Sequence, residues 1–188
     1  TLHRLGTPDL PRLERELVAY SEQRPVALVL PTLFSELKGP ALKGIVEVLA
    51  QVPYLGQVVV SLSGPADRDE YEQMRALFDP VRCIDGSPVT VIWNAGTRVQ
   101  QLFDRLRLEG LDAGEEGKGR ATWMACGYVL AAQHARVVAI HDCDIRNYSP
   151  ELLARLCYPT ANPNLSYEFA KGYYSRVTDR LQGRVTRL

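Results

Sequence analysis

Asp142 and Asp144 end the apolar run Val137-Val138-Ala139-Ile140-His141, two carboxylates at positions i and i+2 with Cys143 between them and Ile145 after. On extended backbone such side chains point to the same side. Two carboxylates held that close repel unless a cation lies between them, and hard oxygen donors suit Mg2+ or Mn2+ carrying substrate phosphates. The pair therefore points to a metal–nucleotide site, set against the plainer reading of a solvated acidic turn that ends a strand. Gly117-Lys118-Gly119-Arg120 stands immediately before the helix predicted to lead into that strand. Its backbone amides and Lys118 can meet an anion at a helix N-terminus. It is not a P-loop, which needs a glycine where Asp112 stands and a Ser or Thr where Gly119 stands. Taken alone, Gly-Lys-Gly is a flexible turn; beside two metal-binding carboxylates it gains a role.

Other residues carry weaker signals. Glu36 lies at a strand-to-helix junction, where it can accept from a ribose or help start the helix. Asp67, Asp69 and Glu70 follow the second strand, and acids in a first helical turn are explained by the helix dipole alone. His141 points opposite to Asp142 and reads as a packed core residue; His3 and His134 have no partner pattern. Ser61 and Ser63 lack the glycines of a nucleophile elbow, so serine hydrolase chemistry is not indicated. Towards the end, Tyr167 to Arg176 alternates like a strand and carries cations, and Gly183-Arg184-Val185-Thr186-Arg187 follows. Arginine offers a bidentate fork and threonine a hydroxyl, a combination suited to a phosphate or carboxylate on a small acceptor.

These residues need a scaffold. Val26 to Leu30 is a continuous apolar run between Pro25 and Pro31, the mark of a strand buried on both faces of a parallel sheet. Gln57 to Ser63, Val89 to Trp93 and Val137 to Asp144 read as further strands. Pro11 to Tyr20, Leu37 to Val52, Asp67 to Phe78 (with Asp67 as N-cap), Thr97 to Leu108 and Arg120 to His134 show helical spacing, and Leu111 to Gly119 reads as a loop at the site. Strands alternating with helices predict a doubly wound, mostly parallel α/β sheet with helices on both faces. Ligands of such sheets bind beyond the carboxyl ends of the strands. The segments Pro31 to Glu36, Ser63 to Asp67 and Asp142 to Asp144 would then share one rim.

Composition sets outer limits. The 188 residues suit one domain, and 22 basic against 22 acidic residues argue against a broad nucleic-acid or membrane footprint. Four widely spaced cysteines without CxxC pairing argue against zinc and fit a reduced, cytoplasmic protein. No apolar stretch approaches the roughly 18 residues of a membrane span, and no signal pattern opens the chain. Thr1 is not an initiator methionine and no terminating element is visible near Leu188, so a segment of a longer polypeptide is expected.

The order of Pro31-Thr32-Leu33-x-x-Glu36, Gly117-Lys118-Gly119, Asp142-Cys143-Asp144-Ile145 and Gly183-Arg184-Val185-Thr186 resembles the glucosyl-3-phosphoglycerate synthases, retaining glycosyltransferases of GT-A fold. The resemblance covers most of the chain and implies one GT-A-like nucleotide-sugar-binding domain over residues 1–188, the N-terminal and central part of a longer chain. It implies transfer of glucose from UDP-glucose, or another nucleotide diphosphate glucose, to 3-phosphoglycerate. By the same resemblance Pro31, Thr32, Leu33, Glu36, Ser63, Lys118, Asp142 and Cys143 belong to the uridine nucleotide site, with Lys118 contacting the nucleotide side and the Asp142-Cys143-Asp144 segment at the diphosphate. Asp144, and Asp142 directly or through water, would hold Mg2+ or Mn2+; Asp142, Asp144 and Lys118 would carry the catalysis. Gly183, Arg184, Val185 and Thr186 would bind the acceptor. Phe34-Ser35 departs from the family's polar-acidic continuation, Ser63-Gly64-Pro65 from a Ser-Gly-Ser turn, and a metal-ligating histidine found further along in family members has no counterpart here. Neither nucleic acid nor membrane is an expected partner, and a homodimer is a family-level expectation. The alternatives are a mannosyl or other sugar transferase on a related small acceptor, a nucleotidyltransferase, whose glycine-rich loop after the first strand is absent here, and a nucleotide-sugar-binding module without catalysis.

Overall fold

The structure, a computed structural model, describes residues 9–64 and 67–172, together with the backbone of 176–177 and 181–182. Helix α1 (Leu10–Ser21) leads into strand β1 (Val26–Leu33), a 3-10 turn (Phe34–Lys38), helix α2 (Pro40–Leu49), strand β2 (Leu55–Ser63) and helix α3 (Arg68–Phe78). Strand β3 (Thr90–Trp93), helices α4 (Thr97–Leu108) and α5 (Lys118–Ala132), strand β4 (Val137–Ile140) and helix α6 (Pro150–Ala161) follow. A two-residue antiparallel pair, β5 (Arg176–Val177) with β6 (Leu181–Gln182), stands apart. The four long strands form one sheet in the order β3-β2-β1-β4, every pairing parallel. The α/β reading of the apolar runs is borne out.

The sheet is buried from both sides because β1 and β2 carry apolar side chains on both faces. Leu28, Leu30, Val58 and Val60 point to the larger core, where Leu17 of α1, Leu42 and Ile45 of α2, Met74 and Phe78 of α3 and Leu153 of α6 meet them, all essentially without solvent exposure. Ala27, Val29 and Val59 point the other way, onto Ala125 and Val129 of α5. Each fully buried aliphatic side chain contributes on the order of 1.5–3 kcal/mol relative to exposure. Among the described residues no helix is long and apolar enough to cross a membrane. All four cysteines are free thiols.

Several boundaries differ from expectation, and one difference matters for the site. β1 does not stop at Leu30; it continues through Pro31 and Thr32 to Leu33, paired with β2 throughout. On the β4 side, Val29 pairs with Ile140 and the Val29 carbonyl accepts from the His141 N–H at 3.1 Å. Because backbone groups alternate sides along a strand, the next bond on that side would need an N–H from Pro31, which has none. The ladder stops there, and the chain beyond His141 turns away. Asp142, Cys143 and Asp144 are therefore not part of a strand, as the run through Asp144 suggested, but lie in the turn that follows β4.

Other corrections are smaller. The helix expected over Leu37 to Val52 is a 3-10 turn plus the shorter α2, the break falling at Gly39-Pro40. α5 begins at Lys118 rather than Arg120 and ends at Ala132, with Gln133 in the left-handed region. The segment 167–172 forms no strand. Helix α6 has no counterpart in the expected elements, although Ser149-Pro150-Glu151 is a recognisable start: Ser149 Oγ accepts from Leu152 N at 3.3 Å.

Candidate functional site

The connection out of β1 runs to β2 on one side, whereas β4 arrives on the other. Such a reversal of strand order opens a crevice at the carboxyl ends of the two strands. Here that crevice is bounded by Leu33 to Glu36 after β1 and by Asp142 to Asp144 after β4, while the N-terminus of α5 brings Lys118 across. The structure thus brings together Glu36, Lys118, Asp142 and Asp144, four of the residues singled out from sequence.

Beyond β4 the burial pattern still alternates: His141 and Cys143 are buried, Asp142 and Asp144 exposed. The alternation in exposure expected of an extended strand is kept even though the ladder has ended. Lys118 Nζ forms an ion pair with Asp142 Oδ1. Glu36 Oε2 accepts from the Leu33 N–H at 3.0 Å, closing the 3-10 turn back on β1. Partial burial, foremost, pushes the Glu36 carboxyl above its ordinary range; the Leu33 N–H opposes this, and the nearby Asp144 and Asp142 charges add to it while Lys118 counters. Among the described residues three carboxylates face one ammonium there, which leaves the crevice short of positive charge.

That shortage and the chemistry of the donors are the test of fit for a cation. Carboxylate oxygens are the ligands that Mg2+ and Mn2+ take, and Mg2+ commonly uses one or two of them with water and substrate phosphates completing the shell. Among the described residues no group of three His, Cys, Asp or Glu side chains forms a protein-made metal cage. Two exposed carboxylates, with a lysine ammonium already seated against one of them, fit a hydrated divalent ion shared with a diphosphate.

The remaining expected residues divide. Leu33 is 46% exposed and offers an apolar surface at the rim. Pro31 and Thr32 are buried, and the Thr32 hydroxyl turns inward to Leu30 O at 3.1 Å and Cys143 Sγ at 2.9 Å, so Thr32 can meet a ligand only through its backbone. Ser63 ends β2 with 3% exposure, its Oγ accepting from Asn94 Nδ2 at 3.1 Å. Cys143 is buried, and burial pushes its thiol up to about 12. His141 is packed as expected, its Nδ1 2.9 Å from Tyr148 Oη, and burial lowers its pKa to about 4 against the opposing pull of Asp142. Asp67 caps α3 and Glu70 returns the bond to Asp67 N at 3.0 Å, so these acids start a helix, as the dipole reading held. Gly183, Arg184, Val185 and Thr186, like Pro65 and Ala66, lie outside the described residues.

Three contributors escaped sequence reasoning. Asn94, 2% exposed after β3, donates to both Ser61 Oγ at 2.9 Å and Ser63 Oγ; its position directly after a strand was the available signal. Glu116 Oε1 accepts from Gly64 N at 3.2 Å and ties the loop before α5 to the end of β2. Gly64 has φ 97°, a conformation that favours glycine. Tyr148 had no signal, since its partner His141 follows no spacing rule.

No family model matches the chain. Two curated relatives do, both named glucosyl-3-phosphoglycerate synthase. The protein from Persephonella marina is 43% identical over 188 residues, all of this chain and 45% of the relative. The chain is a homologue of the glucosyl-3-phosphoglycerate synthases. The relative from Methanococcoides burtonii is 33% identical over 184 residues, 96% of this chain and 44% of its own length. The chain thus spans less than half the length of the glucosyl-3-phosphoglycerate synthases it matches. Among solved structures, the Mycobacterium tuberculosis glucosyl-3-phosphoglycerate synthase with Mn2+ and UDP-glucose has a TM-score of 0.52 at 22% identity, over 87% of this chain and 46% of that one. The same enzyme with Mn2+, UDP and glucosyl-3-phosphoglycerate gives 0.51 at 23%, over 86% and 47%. At that identity the likeness speaks for the fold, which is of GT-A type.

Proposed function

We propose that the protein is a metal-dependent hexosyltransferase that moves glucose from UDP-glucose to 3-phosphoglycerate with retention of configuration, and that residues 1–188 form its nucleotide-sugar-binding domain. The observation that carries this reading is the meeting of Asp142, Asp144, Lys118 and Glu36 at the crevice between β1 and β4. The family relationship to glucosyl-3-phosphoglycerate synthases supports the choice of substrates.

In this reading Asp144, and Asp142 directly or through water, hold Mg2+ or Mn2+. When bound, the ion neutralises charge developing on the departing diphosphate. Lys118 moves from Asp142 to a diphosphate oxygen, where the amides and dipole of the α5 N-terminus add to it. Leu33 covers the nucleoside, with backbone of Pro31 and Thr32 beneath. The Ser63 side chain is buried against Asn94, so Ser63 meets the nucleoside through its backbone at the end of β2. Arg184 and Thr186, together with Gly183 and Val185, hold the phosphate or carboxylate of the acceptor. In the transfer the bond between the glucose anomeric carbon and the diphosphate oxygen breaks. A bond to the free hydroxyl oxygen of 3-phosphoglycerate forms on the same face, and the hydroxyl proton goes to the departing phosphate. That proton route needs no side-chain base.

The test is product formation by the full-length protein from UDP-glucose, ADP-glucose, GDP-glucose and GDP-mannose with 3-phosphoglycerate, in Mn2+, Mg2+ or chelator. Release of the donor's nucleoside diphosphate that needs both 3-phosphoglycerate and the metal, fastest with UDP-glucose, is expected. Preference for a mannose donor would reassign the sugar, and absence of transfer with every donor would overturn the reading.

A further inference from the structure

The exposed carboxylates alternate with buried neighbours that are tied to the protein by polar atoms. Cys143 Sγ lies 2.9 Å from Thr32 Oγ1, and Thr32 Oγ1 donates to Leu30 O at 3.1 Å. A hydroxyl has one proton; with it directed to Leu30, Thr32 is the acceptor and the Cys143 thiol the donor. This bond pins the middle of the Asp-Cys-Asp turn to the penultimate residue of β1. Two residues earlier, His141 Nδ1 meets Tyr148 Oη at 2.9 Å, their rings edge-on with centroids 5.3 Å apart. That contact closes the loop 141–148 across its ends. Thr32 is 2%, Cys143 1%, His141 5% and Tyr148 9% exposed, so none of the four reaches a ligand through its side chain.

Valine in place of Thr32 and phenylalanine in place of Tyr148 would fill the same space. What the hydroxyls add is direction: a hydrogen bond fixes the rotation of the backbone on which the carboxylates sit, whereas apolar contact leaves it loose. We propose that Thr32 and Tyr148 are positioning residues that hold the Asp142–Asp144 turn from behind in the geometry that binds the divalent cation. The inference rests on the metal assignment made under Proposed function. Neither hydroxyl touches substrate; each acts through a residue next to a ligand, Thr32 through Cys143 and Tyr148 through His141.

The experiment measures Mn2+ binding to the full-length protein in the presence of UDP, by the free-Mn2+ electron paramagnetic resonance signal and by calorimetry. Thr32→Val and Tyr148→Phe are each expected to weaken Mn2+ about tenfold, the low end for outer-shell partners of metal ligands, with the far-ultraviolet spectrum of the parent retained. Cys143→Ala removes the Thr32 bond from the loop side and should weaken Mn2+ as Thr32→Val does. Thr32→Ser and Cys143→Ser keep a donor and an acceptor and should restore the affinity. In turnover by Tyr148→Phe the apparent KM for Mn2+ should rise with kcat at saturating Mn2+ retained, a split that general loss of structure does not produce. Asp144→Asn separates the two levels of the argument. If it binds Mn2+ like the parent, the metal assignment itself falls. If it loses Mn2+ while Thr32→Val, Cys143→Ala and Tyr148→Phe bind like the parent, the positioning role alone is overturned.

Discussion

Lys118→Ala separates two effects of opposite sign. In the structure the Lys118 ammonium is paired with Asp142, and the two side chains are 55% and 52% exposed. A pair that open to solvent contributes at most about 1 kcal/mol. For a chain of this size that is a Tm change within about 4 °C, so the variant should stay folded. The same ammonium occupies the side of Asp142 that a divalent ion needs. Its removal spares the entering ion a contest worth up to about 1 kcal/mol, so Mn2+ binding without nucleotide should tighten, by no more than about fivefold. With nucleotide present the sign reverses. A charge-assisted hydrogen bond to a diphosphate oxygen is worth about 1.5–3 kcal/mol, so UDP affinity in saturating Mn2+ should weaken roughly 10- to 160-fold. Transfer, in which that charge grows, should lose about 10²- to 10³-fold in kcat/KM. Calorimetric titration of Mn2+ alone, followed by UDP into the Mn2+-loaded protein, reads both signs on one sample. Weaker Mn2+ binding in the variant, or unchanged UDP binding, would refute the assignment of Lys118 as a counter-charge that passes from Asp142 to the diphosphate.

Asp144→Asn keeps size and exposure and removes the charge; metal-dependent UDP binding should vanish and turnover should drop at least about 10²-fold with thermal unfolding near that of the parent. Near-parental turnover would end the metal assignment. Leu28→Ala, at a fully buried position on β1, should cost about 2–5 kcal/mol in urea unfolding without changing the Mn2+ affinity of the folded fraction. At the other end of the domain, Glu16 accepts from Tyr158 Oη at 2.5 Å and from Arg12 Nε at 2.7 Å, joining α1 to α6, and these partners, Tyr158 first, hold its carboxyl below its ordinary 4.5. The charged form is favoured by folding, so this contribution is present above pH 4.5 and lost as pH falls through the lowered value. Glu16→Gln should show a shallower loss of urea midpoint on acidification, and an acid limb as steep as the parent's would count against the pairing.

The sheet was legible because its two central strands, β1 and β2, are buried on both faces. Val26 to Leu30 and Val58 to Leu62 have no polar face to confuse the period, and α4 was read to its ends, Thr97 and Leu108, from its apolar spacing. The grouping of Glu36, Lys118, Asp142 and Asp144 also followed from sequence, because a parallel sheet sends every strand's carboxyl end to one rim. What escaped depends on distant partners. β1 runs on through Pro31 because β2 supplies rungs up to Ser63, which no local propensity reveals. Thr32 resembled a ligand contact by position, but its hydroxyl is committed inward to Leu30 and Cys143. Helix α6 is signalled by its cap at Ser149, but it carries Pro159 inside it, a residue that argues locally against a helix.

Pro31 links these observations. Were residue 31 able to donate, the β1–β4 ladder could extend by another rung towards the His141 carbonyl, and Asp142 would be drawn into the sheet beside β1. A carboxylate there would stand over a strand, with its orientation set by the pleat and little freedom to approach a diphosphate. Proline ends the ladder at the place where the chain must leave the sheet, and one residue later Thr32 catches Cys143 and holds the departing turn. Release by one residue and capture by the next follow from adjacent positions on one strand. The Pro-Thr pair therefore acts on the acidic turn from beneath, a role that its place in the nucleotide-binding pattern does not convey.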